Sequence, residues 1–185
     1  DRVWVNDPID GTKNFTHGFP YYCSSIALKE GDEVKVGAII SPPRDELFTA
    51  VKGEGAWLDG EEISVSGAES LEDSLIIARV SDLYEEERDT ETAFLRDLLS
   101  QPSTFRRPGA AALDLAHVAA GRADGQALVA INEWDIAAGT LLVEEAGGEV
   151  RIQQSEVVDG YLELVDSNGK IQDRLEEVFD RHARG

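Results

Sequence analysis

The sequence of 185 residues contains no methionine and a single cysteine, Cys23. One cysteine excludes an internal disulfide, and together with only three histidines it argues against a zinc site. Cys23 lies in an apolar strand pattern, which favours a buried thiol over a nucleophile. The Gly-x-Ser-x-Gly segment of a serine hydrolase is missing as well, so the sequence gives no indication of nucleophilic catalysis.

Long apolar runs are also missing. The sequence has no stretch of 18 apolar residues and no signal-peptide pattern, so no membrane association is expected and we predict a cytoplasmic protein. Its hydrophobic fraction of 42% is ordinary for a globular protein. The length suffices for one domain, or two small ones, with a buried core.

Lysine is scarce, and 37 acidic residues against 17 basic ones give a formal net charge of −20. Such a surface repels a phosphate backbone, which argues against nucleic acid as a partner. The acidic excess is spread over the chain instead of forming a tail. We interpret this pattern as an adaptation to a cytosol of very high salt, as in a halophile, because salt screens the self-repulsion.

A polar turn after the first apolar run is the first motif with chemical content. Residues 3–5 predict a buried strand that ends at Asp7-Pro8, because proline cannot donate to a strand ladder. Asp7 and Asp10 then place two carboxylates where a hard cation such as Mg²⁺ could bind, and Gly11 allows a close approach to a phosphate. An Asx-turn with solvated carboxylates is the alternative, and this motif alone leaves both open.

A second motif covers residues 134–148. Asp135 is predicted to be the N-cap of a helix, and Gly147-Gly148 supplies its C-cap. The aspartate could add a third carboxylate to a metal site beside a helix N-terminus, which favours phosphate. The alternative is that Asp135 only caps its helix.

The rest of the chain divides into two patterns. The first is an antiparallel meander, with strands predicted at 22–30, 33–41, 46–52, 56–58 and 61–65. The second alternates strands with helices predicted at 83–99, 110–120, 135–146 and 171–182. A polar segment at 67–72 suggests two units: an N-terminal antiparallel-sheet subdomain, 1–67, with the first motif, and a C-terminal α/β subdomain, 68–185, with the second.

The two motifs, in this order and spacing, resemble the signatures of the inositol monophosphatase family. Residues 4–20 resemble the first signature and residues 134–148 the second. Residues 105–116 are similar to the family's substrate-side helix start, and residues 166–170 to its last strand-to-helix turn. The resemblance implies an α+β or α/β fold, the layered αβαβα sandwich of the sugar phosphatases. Since members carry two helices and a metal-binding glutamate upstream, it also implies a truncated chain that lacks the N-terminal helices.

The implied activity is that of a magnesium-dependent phosphomonoesterase. By position, Asp7, Asp10 and Asp135 would hold one ion, and Asp7 with the carbonyl of Ile9 a second. The intact enzyme would bind two or three Mg²⁺, with Mn²⁺ as a possible substitute, and would activate water to hydrolyse inositol-1-phosphate or a related sugar phosphate. Thr12 and Asp10 are the implied catalytic residues.

The resemblance also implies a set of substrate-side residues. The backbone N–H groups of Gly11 and Thr12 would face the phosphate. The segment Gly109-Ala110-Ala111 would contact the substrate. Asp114 is either a substrate-side residue or an internally bonded one. Trp134 is expected to pack, and His17 to have a structural role.

The substrate stays open at this stage. Leu128 stands where the inositol enzymes have a glutamate, and the direction of the nearby Glu133 is unknown. Fructose-1,6-bisphosphatase is therefore the runner-up, and an adenosine 3′,5′-bisphosphate phosphatase is a further alternative because Lys13 resembles that group. A catalytically weak binding module is possible too, since a bacterial member acts in transcription complexes. We expect a homodimer when intact, and low activity from this chain alone.

Overall fold

The computed structural model of the protein describes residues 1–79, 85–100 and 104–183. The strands of the first half are β1 Arg2–Asp10, β2 Cys23–Glu30, β3 Glu33–Ser41, β4 Glu46–Val51, β5 Gly55–Leu58 and β6 Glu61–Glu62. Those of the second half are β7 Leu75–Ala78, β8 Thr104–Arg106, β9 Gly125–Ile131, β10 Glu149–Gln154 and β11 Leu162–Ser167. The helices are α1 Thr12–Thr16, α2 Glu85–Ser100, α3 Ala111–Ala119, α4 Glu133–Glu145 and α5 Gln172–Ala183.

Two sheets are formed. The first is an antiparallel meander in which β1 to β6 lie in sequence order, as the alternating pattern and turn residues predict. The second has the order β10-β11-β9-β7-β8, with β7 parallel to both of its neighbours and the other pairs antiparallel. The alternation of strands and helices in this half is confirmed, although the predicted start of α2 at residue 83 lies outside the described residues.

The elements form layers. Helices α3 and α4 lie between the two sheets, and α2 and α5 pack together on the other face of the five-stranded sheet. This arrangement confirms the predicted layered α+β fold. None of the described helices combines the length and the apolar character that crossing a membrane requires. The division into subdomains at residues 67 and 68 stays a prediction.

The prediction that residues 3–5 form a strand is confirmed, but the prediction that this strand is buried is wrong. Val3 and Trp4 are 55% and 63% exposed, and β1 is the edge of its sheet. The strand also continues past Pro8 to Asp10, with a shift in register between Asp7 and Asp10. An edge strand tolerates proline because one side of its backbone needs no ladder partner.

Apolar side chains are exposed on the outer face of the six-stranded sheet. Trp4, Ile26, Ile40 and Leu47 lie there, on the side opposite α4. The outer face of the meander therefore presents apolar side chains to solvent. The last predicted strand of the meander is shorter than expected, because Val65 leaves the sheet and donates its N–H to the carbonyl of Ala146.

Two glycines allow α4 to approach its neighbours closely. A Cβ on Gly139 would lie 2.6 Å from the Cβ and Cδ1 atoms of Leu115 in α3. A Cβ on Gly37 in β3 would lie 2.9 Å from the carbonyl oxygen of Ala138. Both distances are too short for carbon, so α4 sits at a depth that only glycine permits on each side.

The substitution Gly139→Ala tests this close packing. In an exposed helix, alanine would stabilise relative to glycine by about 1 kcal/mol. Here the added methyl group overpacks the contact with Leu115, so we expect the free energy of unfolding to fall by about 1–3 kcal/mol. Chemical denaturation followed by circular dichroism measures it.

Gly67→Ala is the matched control, since no atom lies within 4 Å of its added Cβ. We expect a neutral or slightly stabilising effect there. A Gly139→Ala protein as stable as wild type would contradict the close approach of α4 to α3.

Candidate metal centre

Three carboxylates from distant parts of the chain meet at the end of β1. Asp7 and Asp10 lie within the last four residues of that strand, and Asp135 lies in the first turn of α4. Each offers an oxygen, and these oxygens all lie within 4.8 Å of one another. The predicted convergence of the two motifs is therefore confirmed.

Asp10 is the most buried member of this cluster. One of its oxygens, Oδ2, accepts a hydrogen bond from the backbone N–H of Ala112 at 2.7 Å and lies 3.7 Å from the Cys23 thiol. Burial is the main cause that raises its pKa to about 7, and the charges of Asp135 and Asp7 add to the rise. Cys23 is a buried thiol as predicted, and desolvation with the charge of Asp10 raises its pKa far above the usual range.

Asp135 is not the N-cap that the sequence suggested. Helix α4 begins at Glu133 and its N-cap is Asn132. Asp135 lies in the first turn, where its carboxylate accepts hydrogen bonds from the backbone N–H and the side-chain amide of Asn132, at 3.3 and 3.4 Å. Asparagine is itself a strong N-cap residue, so the helix starts two residues earlier than expected. Burial, with the neighbouring Asp7, raises the pKa of Asp135 to about 6.

This donor set fits a hard cation. The three side chains present carboxylate oxygens, the ligands that Mg²⁺ prefers, and their mutual repulsion is what a bound cation would relieve. Hydrogen bonds within residues 7–12 fix the backbone next to the carboxylates. Asp7 Oδ1 accepts the N–H of Ile9 at 3.0 Å, and the Thr12 hydroxyl donates to the carbonyl of Ile9 at 2.9 Å. The acidic cluster can therefore hold a metal ion.

Gly11 occupies a position that no other residue fits. Its φ is +80°, and a Cβ there would lie 3.0 Å from the carbonyl oxygen of Tyr21 and 3.1 Å from the Cβ of Ala110. The chain then enters the short helix α1 at Thr12, which the sequence suggested only as a turn. The first N–H groups of a helix have no intrahelical acceptors, so they are available to other partners.

A cavity of about 530 Å³ opens beside the carboxylates. It is lined by Asp10 and Asp135 and by the predicted substrate-side segment Gly109-Ala110-Ala111. Three basic residues also line it: Lys13, Arg79 and Arg107. Gly11 and Thr12 lie outside this lining, although a Cβ on Gly11 would lie 3.1 Å from the Cβ of Ala110.

Asn14 is a residue of the site that the sequence reasoning missed. Its side-chain amide donates to the carbonyls of Tyr21 and Pro108, at 2.7 and 2.9 Å. It thereby joins the first motif to the segment that lines the cavity at Gly109. The only signal for it was its place inside the first motif, since an exposed amide in a turn has no distinguishing pattern.

The remaining candidates have clear positions. Asp114 is internally bonded, because its Oδ1 accepts the Tyr21 hydroxyl at 2.6 Å in a fully buried setting. Leu128 lines the cavity and is buried. The nearby Glu133 points elsewhere and forms an ion pair with Lys29.

Trp134 does not pack into the core as expected, since it is 50% exposed. It lies in the first turn of α4. His17 has the predicted structural role, because its Nδ1 lies 2.8 Å from the carbonyl oxygen of Lys13 at the end of α1.

Known proteins resemble this chain over most of its length. Residues 1–182 match the inositol monophosphatase family. An inositol monophosphatase from Dictyostelium discoideum is 46% identical over 154 residues, which are 81% of this chain and 56% of that protein. A protein named Nus factor SuhB from Pseudomonas aeruginosa is 45% identical over 152 residues, with the same coverage. The chain thus spans little more than half the length of these curated relatives.

Solved structures agree with this match. The native suhB extragenic suppressor protein of Bartonella henselae has a TM-score of 0.89 and 38% identity, covering 97% of this chain and 70% of its own. The inositol monophosphatase of Anabaena sp. PCC 7120 has a TM-score of 0.88 and 36% identity, covering 98% and 72%. The shared fold and the match from residue 1 to residue 182 show that the chain belongs to the inositol monophosphatase family.

Proposed function

We propose that this chain carries the metal centre and the substrate cavity of a magnesium-dependent phosphomonoesterase acting on inositol-1-phosphate or a related sugar phosphate. The observation that carries the proposal is the convergence of Asp7, Asp10 and Asp135 within 4.8 Å at the edge of a 530 Å³ cavity. Family membership supports a phosphatase-type hydrolase. A cytoplasmic location, a high-salt cytosol and a homodimer remain proposals as well.

The three carboxylates would hold one cation, and Asp7 with the Ile9 carbonyl would contribute to a second. When bound, Mg²⁺ or Mn²⁺ would polarise the phosphate and lower the pKa of water. The Ala112 N–H fixes the Asp10 carboxylate, so this ligand is held in place before a cation arrives. Such preorganisation favours charge stabilisation in the transition state.

Gly11 and Thr12 would bind the phosphate through their N–H groups, and the Thr12 side chain would orient the attacking water. The Thr12 hydroxyl donates to the carbonyl of Ile9, so its lone pairs are left to accept a hydrogen bond from water and orient it. The N–H groups at the start of α1 would face phosphate oxygens, where a helix N-terminus favours negative charge.

The substrate would bind over the small residues Gly109 to Ala111. Lys13 and Arg107 place basic groups at the cavity of a chain whose net charge is −20, which favours a phosphate ester there, whereas Arg79 is paired with the buried carboxylates of Glu87 and Glu91. The apolar Leu128 offers no hydrogen bond to a sugar hydroxyl. Fructose-1,6-bisphosphate is therefore the second substrate to test, followed by adenosine 3′,5′-bisphosphate.

A binding role is the second candidate function. Several relatives at 39–45% identity are named Nus factor SuhB, a name that is not that of a phosphatase. A binding module would keep its function when metal ligands are removed, whereas the phosphatase would not. The ligand variants below therefore separate the two candidates.

Asp10→Asn and Asp135→Asn each remove one anionic ligand while keeping the side-chain volume. We expect phosphate release from inositol-1-phosphate to fall by about a hundredfold or more in each variant, because charge stabilisation is the main work of the site. The assay uses the full gene product with saturating Mg²⁺. Asp32→Asn in the exposed turn after β2 is the control, and wild-type activity in either ligand variant would rule out the mechanism.

The pH dependence of cation binding provides a separate test. In the folded chain without a cation, the pKa of Asp10 is about 7 and that of Asp135 about 6, both raised from 3.8. Their charged forms therefore destabilise the fold increasingly as pH rises from about 4 to about 7. A cation relieves this repulsion at pH 8, whereas at pH 5 protons already occupy the site.

We therefore expect Mg²⁺ to raise the Tm of the chain more at pH 8 than at pH 5, measured by differential scanning fluorimetry. Asp10→Asn should lose most of this difference. An equal Tm rise at both pH values in the wild type would contradict the role of these carboxylates.

Substrate selectivity should be weak. A site built to bond a hydroxyl rejects analogues strongly, whereas an apolar residue such as Leu128 does not. We expect kcat/KM for inositol-1-phosphate to exceed that for fructose-1,6-bisphosphate by less than roughly a hundredfold. A larger preference, measured by phosphate release from both esters at equal Mg²⁺, would show that another residue recognises inositol.

A further inference from the structure

A second group of buried oxygens lies beneath the cavity. Strands β9 and β11 are antiparallel neighbours, and Gln126 stands directly opposite Asp166. Paired residues of this kind project from the same face of a sheet. Leu128 and Leu164, two positions along each strand, belong to the core between the two sheets, so Gln126 and Asp166 face the layer of α3 and α4.

Both side chains are buried, and three of their oxygens lack a hydrogen-bond partner among the residues that the structure describes. Asp166 is 0% and Gln126 is 1% exposed. Both carboxylate oxygens of Asp166 and the Oε1 of Gln126 have no donor among residues 1–79, 85–100 and 104–183. Buried polar atoms without partners are rare in native proteins, and a bound ion is one explanation for them.

Asp114 of α3 adds a second carboxylate from the facing helix. It is 4% exposed and borders the cavity as Gln126 does, and burial together with the charge of Asp114 raises the pKa of Asp166 well above its usual range. Its own partner is the Tyr21 hydroxyl, and burial raises its pKa well above the usual range. Rotation of the Gln126 amide would offer N–H donors to Asp166, but it would bring no positive charge to two buried acidic groups.

We propose that Asp114, Gln126 and Asp166 bind a divalent metal cation beneath the cavity, at a site separate from that of Asp7, Asp10 and Asp135. Two carboxylates and an amide oxygen form a hard oxygen donor set of the kind that Mg²⁺, Mn²⁺ and Ca²⁺ prefer. A charge of 2+ matches the two carboxylates. A monovalent cation would leave one buried charge without compensation.

A cation there would fasten α3 to the five-stranded sheet. The first turn of α3 supplies the Ala112 N–H that holds Asp10. Asp114 holds the Tyr21 hydroxyl, and the Tyr21 carbonyl accepts from Asn14. The proposed site would therefore position the first motif from below without contacting the substrate phosphate.

The test counts Mn²⁺ bound to the full chain by electron paramagnetic resonance titration. We expect Asp166→Asn to bind one Mn²⁺ fewer than the wild type. Asp124→Asn is the matched control, because this buried aspartate next to β9 already has donors in the Ser66 hydroxyl and the Leu75 N–H. Its count should equal that of the wild type.

An unchanged count in Asp166→Asn would overturn the proposal and would indicate that the two carboxylates share a proton instead. Asp10→Asn removes a ligand of the site formed by Asp7, Asp10 and Asp135. A loss of bound Mn²⁺ in that variant is therefore assigned to that site and not to the proposed one. Should Asp166→Asn fail to fold, wild-type crystals grown with Mn²⁺ decide the question by anomalous scattering. A peak between the Asp166 carboxylate and Gln126 Oε1 supports the site, and a map without that peak overturns it.

Discussion

The close approach of α4 to the six-stranded sheet and to α3 is the contact on which the metal centre depends. Gly37 and Gly139 remove the side-chain volume that would keep the helix away, so its first turn reaches the end of β1. That position brings Asp135 to Asp7 and Asp10. The same layer places the start of α3 where the Ala112 N–H meets Asp10. Packing of apolar surfaces thus supplies the free energy that holds three like charges together.

The charge at the cavity differs from the charge of the surface as a whole. A net charge of −20 is spread over the surface, and yet the cavity is bordered by Lys13, Arg79 and Arg107 beside the carboxylates. The carboxylates themselves have pKa values of about 6 and 7 for Asp135 and Asp10, so the centre is poised between binding protons and binding metal near neutral pH.

Hydrogen bonds between distant segments then fix the walls of the cavity. Asn14 joins α1 to the carbonyls of Tyr21 and Pro108, and the Tyr21 hydroxyl reaches Asp114 in α3. A buried network of this kind keeps the first motif and the substrate-side segment in one geometry. Gln126 lines the same cavity as Asp114, and its Oε1 and the carboxylate oxygens of Asp166, which lack partners among the described residues, are the basis for the proposed second cation site.

The two motifs pointed to Asp7, Asp10 and Asp135 through their resemblance to a known family, and the sequence by itself determined the meander and the alternation that follows it. These features depend on local signals, such as turn glycines, alternating strands and helix ends, which the chain encodes over a few residues. Tertiary structure decided the rest. Trp4 is exposed because it lies on the outer face of the six-stranded sheet, and burial depends on which layer covers a face. The pairing of Gln126 with Asp166 follows from sheet order and register, which join residues 40 positions apart that no local pattern connects.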